Sequence, residues 1–450
     1  MTVSEHISEY VFSLNYDTIP DEVKALAKTF FIDAMACMFL GTSGASVRSA
    51  LPYVKEHSGA DDCVFPSKGP VHTDVLHCAM LCAMSAHSND YDDMSANLNG
   101  HPSALLASVV FSMAQKLCSD GKKMLTAYIA GVEVDAILGS AFSRFGYQKG
   151  INPTNFVGVF GAVAAAAVLL GQSREELANA LCIAVNEASG FKANFGTLSK
   201  DFAIGMSAMK AISCAECASL GFKASLDAFE GDFGFFKSIC GTVDTETVHR
   251  LIDEHCSDFL EPGLVMKPYP SCRGNHSGID CITKIVRAHS FTMADVEKVI
   301  CRTDRAAFDT DRYEYPKTPD EAKFSLAFCI AKVIKCGEIV IEDFIGDEIT
   351  DRSPLEFIDK VEIQCTPERF ETSRFGTEVE VRLRDGRVFI EKGCFAKGDP
   401  CLPMTQDEIR EKLTACLTRS LPANKVNGAA ALFERLDELN GISEIINYIY

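Results

Sequence analysis

Phe160-Gly-Ala-Val-Ala-Ala-Ala-Ala-Val-Leu-Leu170 is the stretch whose reading settles the class of this fold. Alanine is the strongest helix former, so the run reads as helix. Its side chains are small on every side, so neighbouring backbones can approach closely. A helix that is apolar all round is a buried one, and this one is expected near the centre of a helical domain. The surrounding apolar run, 156–171, falls short of the roughly 20 residues needed to cross a bilayer. No membrane span is therefore expected from it.

Working outward, Val23, Leu26, Ala27, Phe30, Phe31, Ala34, Met35 and Met38 recur at three and four residues, which marks one helix face. Pro20 and Asp21 start that helix and Gly41 ends it. Ala104–Leu117 and Met124–Ser140 are further apolar helices, and Ser173 to Glu176 has capping-box spacing. The character changes after about Lys267. Val299–Arg302 and Val361–Thr366 read as strands. Val379, Val381 and Leu383 alternate with Glu378, Glu380 and Arg382. Asp385-Gly386 follows, and Val388 and Ile390 resume the alternation, a hairpin signal. A helical stretch, Pro319–Cys336, lies between the strands. Thr405 to Glu408 is another capping box, and the end of the chain is helical again. The expected fold class is mainly α with an α+β second domain. Residues 1–265 together with 400–450 would form the all-helical domain, and residues 266–399 the inserted α+β domain.

The chain has 450 residues, more than one core usually serves. Apolar residues make up 47%, enough for a large interior. The net charge of −19 argues against nucleic acid, which needs a basic face, and against an anionic membrane surface. It leaves small anionic substrates open, because a few local lysines can dominate one pocket. Nineteen cysteines in a chain this long do not suggest a disulfide scaffold. The polar, acidic start is no signal peptide, so a reducing, cytoplasmic setting is expected.

His87-Ser-Asn-Asp90-Tyr-Asp92-Asp93 puts three carboxylates in four positions, and His101-Pro-Ser follows. Such a cluster suits acid–base chemistry, or is simply a solvated acidic helix end. A metal is a further option, though the spacing matches no metal motif. Lys200 reads by default as a solvent-facing lysine. In Lys267-Pro-Tyr-Pro-Ser271-Cys-Arg273 two prolines stiffen a backbone bracketed by two cations, which suits carboxylate capture. The alternative is a stiff domain crossover. Cys214-Ala-Glu-Cys217 lies in an Ala-rich helical run without a second pair, so zinc is not expected. No Walker loop, G-x-S-x-G or convincing dinucleotide loop is present.

Taken together, these segments resemble the MmgE/PrpD family along nearly the whole chain. The resemblance rests on His87-Ser-Asn-Asp90-Tyr-Asp-Asp, His101-Pro-Ser, Pro153-Thr with the Gly/Ala helix, and Leu169-Leu-Gly171. It continues in the Lys200 to Gly205 segment, Glu230-Gly-Asp-Phe-Gly-Phe235, Lys267 to Arg273 with His276, Ala322-Lys-Phe-Ser325 and Lys397-Gly-Asp-Pro400. It implies a large all-helical domain with a smaller α+β lid domain, a homodimer, and no metal or organic cofactor. The implied substrates are small di- or tricarboxylates, handled by proton transfer next to a carboxylate. Carried over by position, Asp90, His101, Lys200 and Lys267 are the implied catalytic residues. Asn152, Ser271, Arg273 and His276 are the implied substrate-binding residues.

The chain also departs from the family pattern. Asn152 stands where family decarboxylases and dehydratases usually have a histidine before Pro-Thr, and Phe328 where a tyrosine is frequent. The threonine after the acidic cluster aligns with Met94 or Ser95. Asparagine cannot shuttle a proton at neutral pH, which counts against cis-aconitate decarboxylation. The leading expectation is a cofactor-independent hydro-lyase acting on a 2-methylcitrate-type hydroxy acid. An epimerase of a dicarboxylate such as iminodisuccinate and a non-catalytic metabolite-binding protein are the alternatives.

Overall fold

The computed structural model describes residues 1–241, 244–346, 348–370 and 375–450, with the side chains of 143–145 and 240 left aside. The chain forms two compact units. Residues 1–88, 92–265 and 406–450 make the first, and residues 89–91 and 266–405 the second. Asn89–Tyr91, assigned from sequence to the helical domain, clusters instead with the second unit, and that unit runs on to Thr405.

The first unit is built on helices. Asp21–Gly41 has the expected ends, and Phe31, Met35 and Met38 on its apolar face are fully buried. Two expected helices extend beyond their apolar runs, to Pro102–Leu117 and Gly121–Gln148. Gly158–Leu170 packs against Gly121–Gln148, Leu198–Ser219 and Pro102–Leu117. Small residues permit this. A Cβ on Gly161 would collide with the Gly131 carbonyl and the Asp135 carboxylate. Instead Gly161 N–H donates to Asp135 Oδ1 at 3.1 Å. The capping box at Ser173 and Glu176 is formed. Near the C-terminus, Gln406–Leu417 lies on Asp21–Gly41, with Lys412 Nζ 2.7 Å from Asp33 Oδ1.

Two apolar helical stretches, Gly121–Phe142 and Pro153–Leu170, are long enough to cross a membrane by length and composition. The second exceeds the expected run because the short helix Pro153–Phe156 leads into it. Both are mostly buried by neighbouring helices, 83% and 89%.

The second unit holds a four-stranded sheet in the order Val361–Cys365, Val296–Thr303, Thr377–Leu383, Val388–Gly393. The first pair is parallel and the others antiparallel. Val379, Val381 and Leu383 face the core, as alternation required. The partner strand differs from expectation. Val388 and Ile390 are 50% and 56% exposed, and Phe389, paired with Val381, packs on the core. In antiparallel register a residue shares the face of its direct partner. Val388 and Ile390 lie opposite Arg382 and Glu380, so they take the charged face. The helix expected over Pro319–Cys336 is two helices, Pro319–Ala322 and Leu326–Cys336, with Ser325 capping the second.

Candidate active site

In the helical unit, His101 stands immediately before Pro102, the first residue of Pro102–Leu117. Proline suits that position because its missing N–H has no helical partner to lose. It also pushes the preceding residue out of helical geometry, and His101 has φ −112° and ψ 86°. His101 Nδ1 lies 2.8 Å from the Asp93 carbonyl oxygen and 3.5 Å from Asp92 Oδ2. A carbonyl can only accept, so Nδ1 carries the proton and the neutral ring keeps its lone pair on Nε2. Asp92 Oδ2 also accepts from His87 Nδ1 at 2.8 Å, and the two imidazole centroids are 5.0 Å apart.

Asp93 ties this group to the helix behind it. Its carboxylate accepts from Ser103 N–H at 3.1 Å and from Ser103 Oγ at 2.5 Å, and Ser103 Oγ also bonds Tyr128 OH. Burial pushes the Asp93 carboxyl up to about 8, against the opposing pull of Ser103. His101 N–H donates to Thr154 Oγ1 at 3.0 Å, which brings the His-Pro-Ser and Pro-Thr segments together. His87, Asp92 and His101 place three donor atoms within 4.8 Å of one another. Both Nδ1 atoms, however, donate hydrogen bonds there. A cation at this trio would therefore have to be met by the Nε2 lone pairs or displace those protons.

Lys200 is the third residue of Leu198–Ser219 and is only 8% exposed, which overturns its default reading as solvent-facing. Its Nζ sits 5.8 Å from the Phe195 ring centroid. A cation at a helix N-terminus opposes the macrodipole, so this placement is not one that helix stability selects. Asn152 is buried, and its backbone N–H donates to Gly190 O at 3.1 Å. One turn on, Asn155 Oδ1 is buried with no hydrogen-bond partner among the described residues. Ser95, one of the two positions where the family threonine aligns, gives its hydroxyl to Asp258 Oδ2 at 2.7 Å. Burial pushes the Asp258 carboxyl up to about 6.

In the second unit Asp90 meets Lys267. Lys267 Nζ is 3.2 Å from Asp90 Oδ2 and 2.9 Å from its carbonyl oxygen, and Lys267 is fully buried. Asp90 has φ 50°, a left-handed conformation that aspartate tolerates better than most residues. Arg273 and His276, expected to bind substrate, are turned inward. Arg273 donates to the carbonyls of Lys397 and Ala396 at 3.0 and 3.3 Å, to Asp399 Oδ2 at 3.3 Å, and to His276 Nδ1 at 3.3 Å. His276 Nε2 donates to Ser271 O at 3.0 Å. Burial, then the Arg273 and Lys267 charges, push the His276 pKa well below the usual histidine value. These two side chains therefore clamp the 271 and 396–399 backbones. Ser271 Oγ, in contrast, is buried with no hydrogen-bond partner among the described residues. Phe328 is a packing position, with its ring 6.0 Å from that of Phe344 in the unit's apolar core.

The structure thus gathers His101 in one unit and the Asp90–Lys267 pair in the other. Sequence reasoning quoted His87, Asp92 and Asp93 as a run of charge but gave them no separate roles. It missed Tyr128 and Asn155 altogether, since a lone tyrosine or asparagine in a helix carries no local signal.

Comparison with known proteins supplies the context. Residues 5–247 match the MmgE/PrpD N-terminal domain and residues 269–438 the MmgE/PrpD C-terminal domain. Cis-aconitate decarboxylase of Mus musculus is 24% identical over 98% of this chain and 92% of its own length. That of Homo sapiens is 24% identical over 98% and 93%. A cis-aconitate decarboxylase-like protein of Aspergillus oryzae is 21% identical over 99% and 97%. With both domains matched in order along most of its length, the chain belongs to the MmgE/PrpD family.

Proposed function

We propose that this protein is a cofactor-independent lyase that dehydrates a small hydroxy di- or tricarboxylate of the 2-methylcitrate type. Its family and the names of its relatives support an enzyme acting on carboxylates. The observation that carries the reading is the bond from His101 Nδ1 to the Asp93 carbonyl, which leaves the Nε2 lone pair as the ring's basic site. In this reading a base removes the proton from carbon next to a carboxylate. The electron pair forms the alkene, and the β-hydroxyl departs as water after protonation. His101 and Asp90 are the acid–base candidates. Lys200 and Lys267 supply positive charge against the carbanion-like intermediate, and Ser271 Oγ offers an unspent hydroxyl to the substrate.

A second reading, epimerisation of a dicarboxylate such as iminodisuccinate, needs the same base and cations but no leaving group. Cis-aconitate decarboxylation is the activity in the relatives' names, and Asn152 counts against it here because its amide cannot relay a proton. Proton NMR in D2O with 2-methylcitrate, citrate, cis-aconitate, tartrate, malate and iminodisuccinate separates the three. An alkene signal from a hydroxy acid supports the lyase. Deuterium entering the α-carbon without elimination supports the epimerase. Loss of carboxylate from cis-aconitate supports the decarboxylase, and silence across the panel counts against all three.

A further inference from the structure

We infer that Asp92 is the positioning residue for His101, and that His87 is the donor that holds Asp92 in place. The inference rests on the proposed acid–base role of His101 and adds two residues to it. Asp92 is fully buried, and a single oxygen, Oδ2, serves both rings: 2.8 Å to His87 Nδ1 and 3.5 Å to His101 Nδ1. The Asp93 carbonyl lies 2.8 Å from the same His101 nitrogen. The Asp93 carbonyl fixes the tautomer, and the Asp92 carboxylate on the same edge of the imidazole adds a charge and a second hold on its orientation. Flipping the ring would turn a carbon toward both of them. A negative charge beside Nδ1–H also favours the imidazolium that forms when Nε2 takes a proton.

His87 completes the arrangement. Its Nε2 is buried with no hydrogen-bond partner among the described residues, so its one hydrogen bond here is the Nδ1–H donated to Asp92. That bond anchors the carboxylate to the last residue of Val75–His87, while His101 precedes Pro102–Leu117. The distance between the two rings is therefore set by packing between two core helices, which are in contact. A carboxylate that only neutralised charge would need no such buried second histidine.

The test uses the full-length protein with ring-¹⁵N histidine, and His101→Ala identifies the His101 signals. The wild type should show His101 as the Nδ1–H tautomer. Asp92→Asn should keep that tautomer, which the Asp93 carbonyl holds, but move the titration midpoint of the His101 ring to lower pH and lower kcat about 10-fold or more, with KM changed less than about 3-fold. His87→Leu should do the same, whereas His87→Gln, which keeps a donor for Asp92, should recover most of the activity and the titration midpoint. An unchanged His101 titration midpoint in both Asp92→Asn and His87→Leu would overturn the inference, whatever the kinetics. If His101→Ala leaves turnover intact, the acid–base role of His101 fails, and the ring titration still decides whether Asp92 acts on the ring.

Discussion

His101 Nδ1 donates to the backbone oxygen of Asp93 at 2.8 Å, while the Asp93 side chain accepts from Ser103 one residue inside the next helix. One aspartate thus orients the imidazole through its main chain and caps the helix N-terminus through its carboxylate. A shift of Asp93 would therefore act on the ring and the helix start together.

Because His101 is the proposed proton carrier, His101→Ala should lower kcat by about 10²–10⁴-fold and change KM only a few-fold. Steady-state kinetics on whichever carboxylate reacts in the D2O panel measures this. A variant with wild-type kcat would remove His101 from the mechanism.

Lys267 is buried against Asp90. Lys267→Met should destabilise the protein by about 3–5 kcal/mol, because a buried carboxylate loses its ammonium partner. Adding Asp90→Asn should restore part of that stability while leaving activity low. Chemical denaturation of both variants checks the coupling, and strictly additive losses would contradict it.

Stability should depend on pH through Asp93. Its carboxyl is pushed up to about 8 in the folded protein, against roughly 4 in an unfolded chain. The folded state therefore holds this proton more tightly. The stability it contributes is full below roughly pH 4 and is lost as pH rises toward 8. Asp93→Asn should flatten the fall in unfolding free energy between roughly pH 5 and pH 8, by up to about 1.4 kcal/mol per pH unit. Asp258, raised to about 6, titrates in both proteins and cancels in the difference. Urea unfolding at several pH values reads the slopes, and equal slopes would show that Asp93 ionises normally.

Gly398 has φ 83°, and a Cβ there would overlap the Met266 carbonyl oxygen. Its own carbonyl accepts from Met266 N–H at 3.0 Å. Gly398→Ala should therefore cost about 1–3 kcal/mol from the backbone conformation alone. It should also loosen the neighbouring turn that Arg273 grips. A thermal melt matching wild type would mean that the 266–268 backbone yields freely.

Helix periodicity, the small-sided run at 160–170 and the alternation at 378–383 were enough to define a helical unit and a sheet-bearing one, because each pattern is local and repeats along the chain. Spacing likewise brought out His101 beside a run of acids. Other features depend on neighbours distant in the chain. Arg273 reads as a carboxylate clamp in sequence, and only the fold shows it donating to carbonyls 123 and 124 residues away. Phe328 looked like a substituted site position, and the core claimed it. Val388 and Ile390 kept their alternation but took the other face, because pairing register is a relation between two strands. Asp92 was one acid in a row of three until folding set it between two histidines. A hydrophobic period belongs to one segment and is legible there, whereas hydrogen-bond capacity is a shared quantity, assigned only when every competing donor and acceptor has found its place.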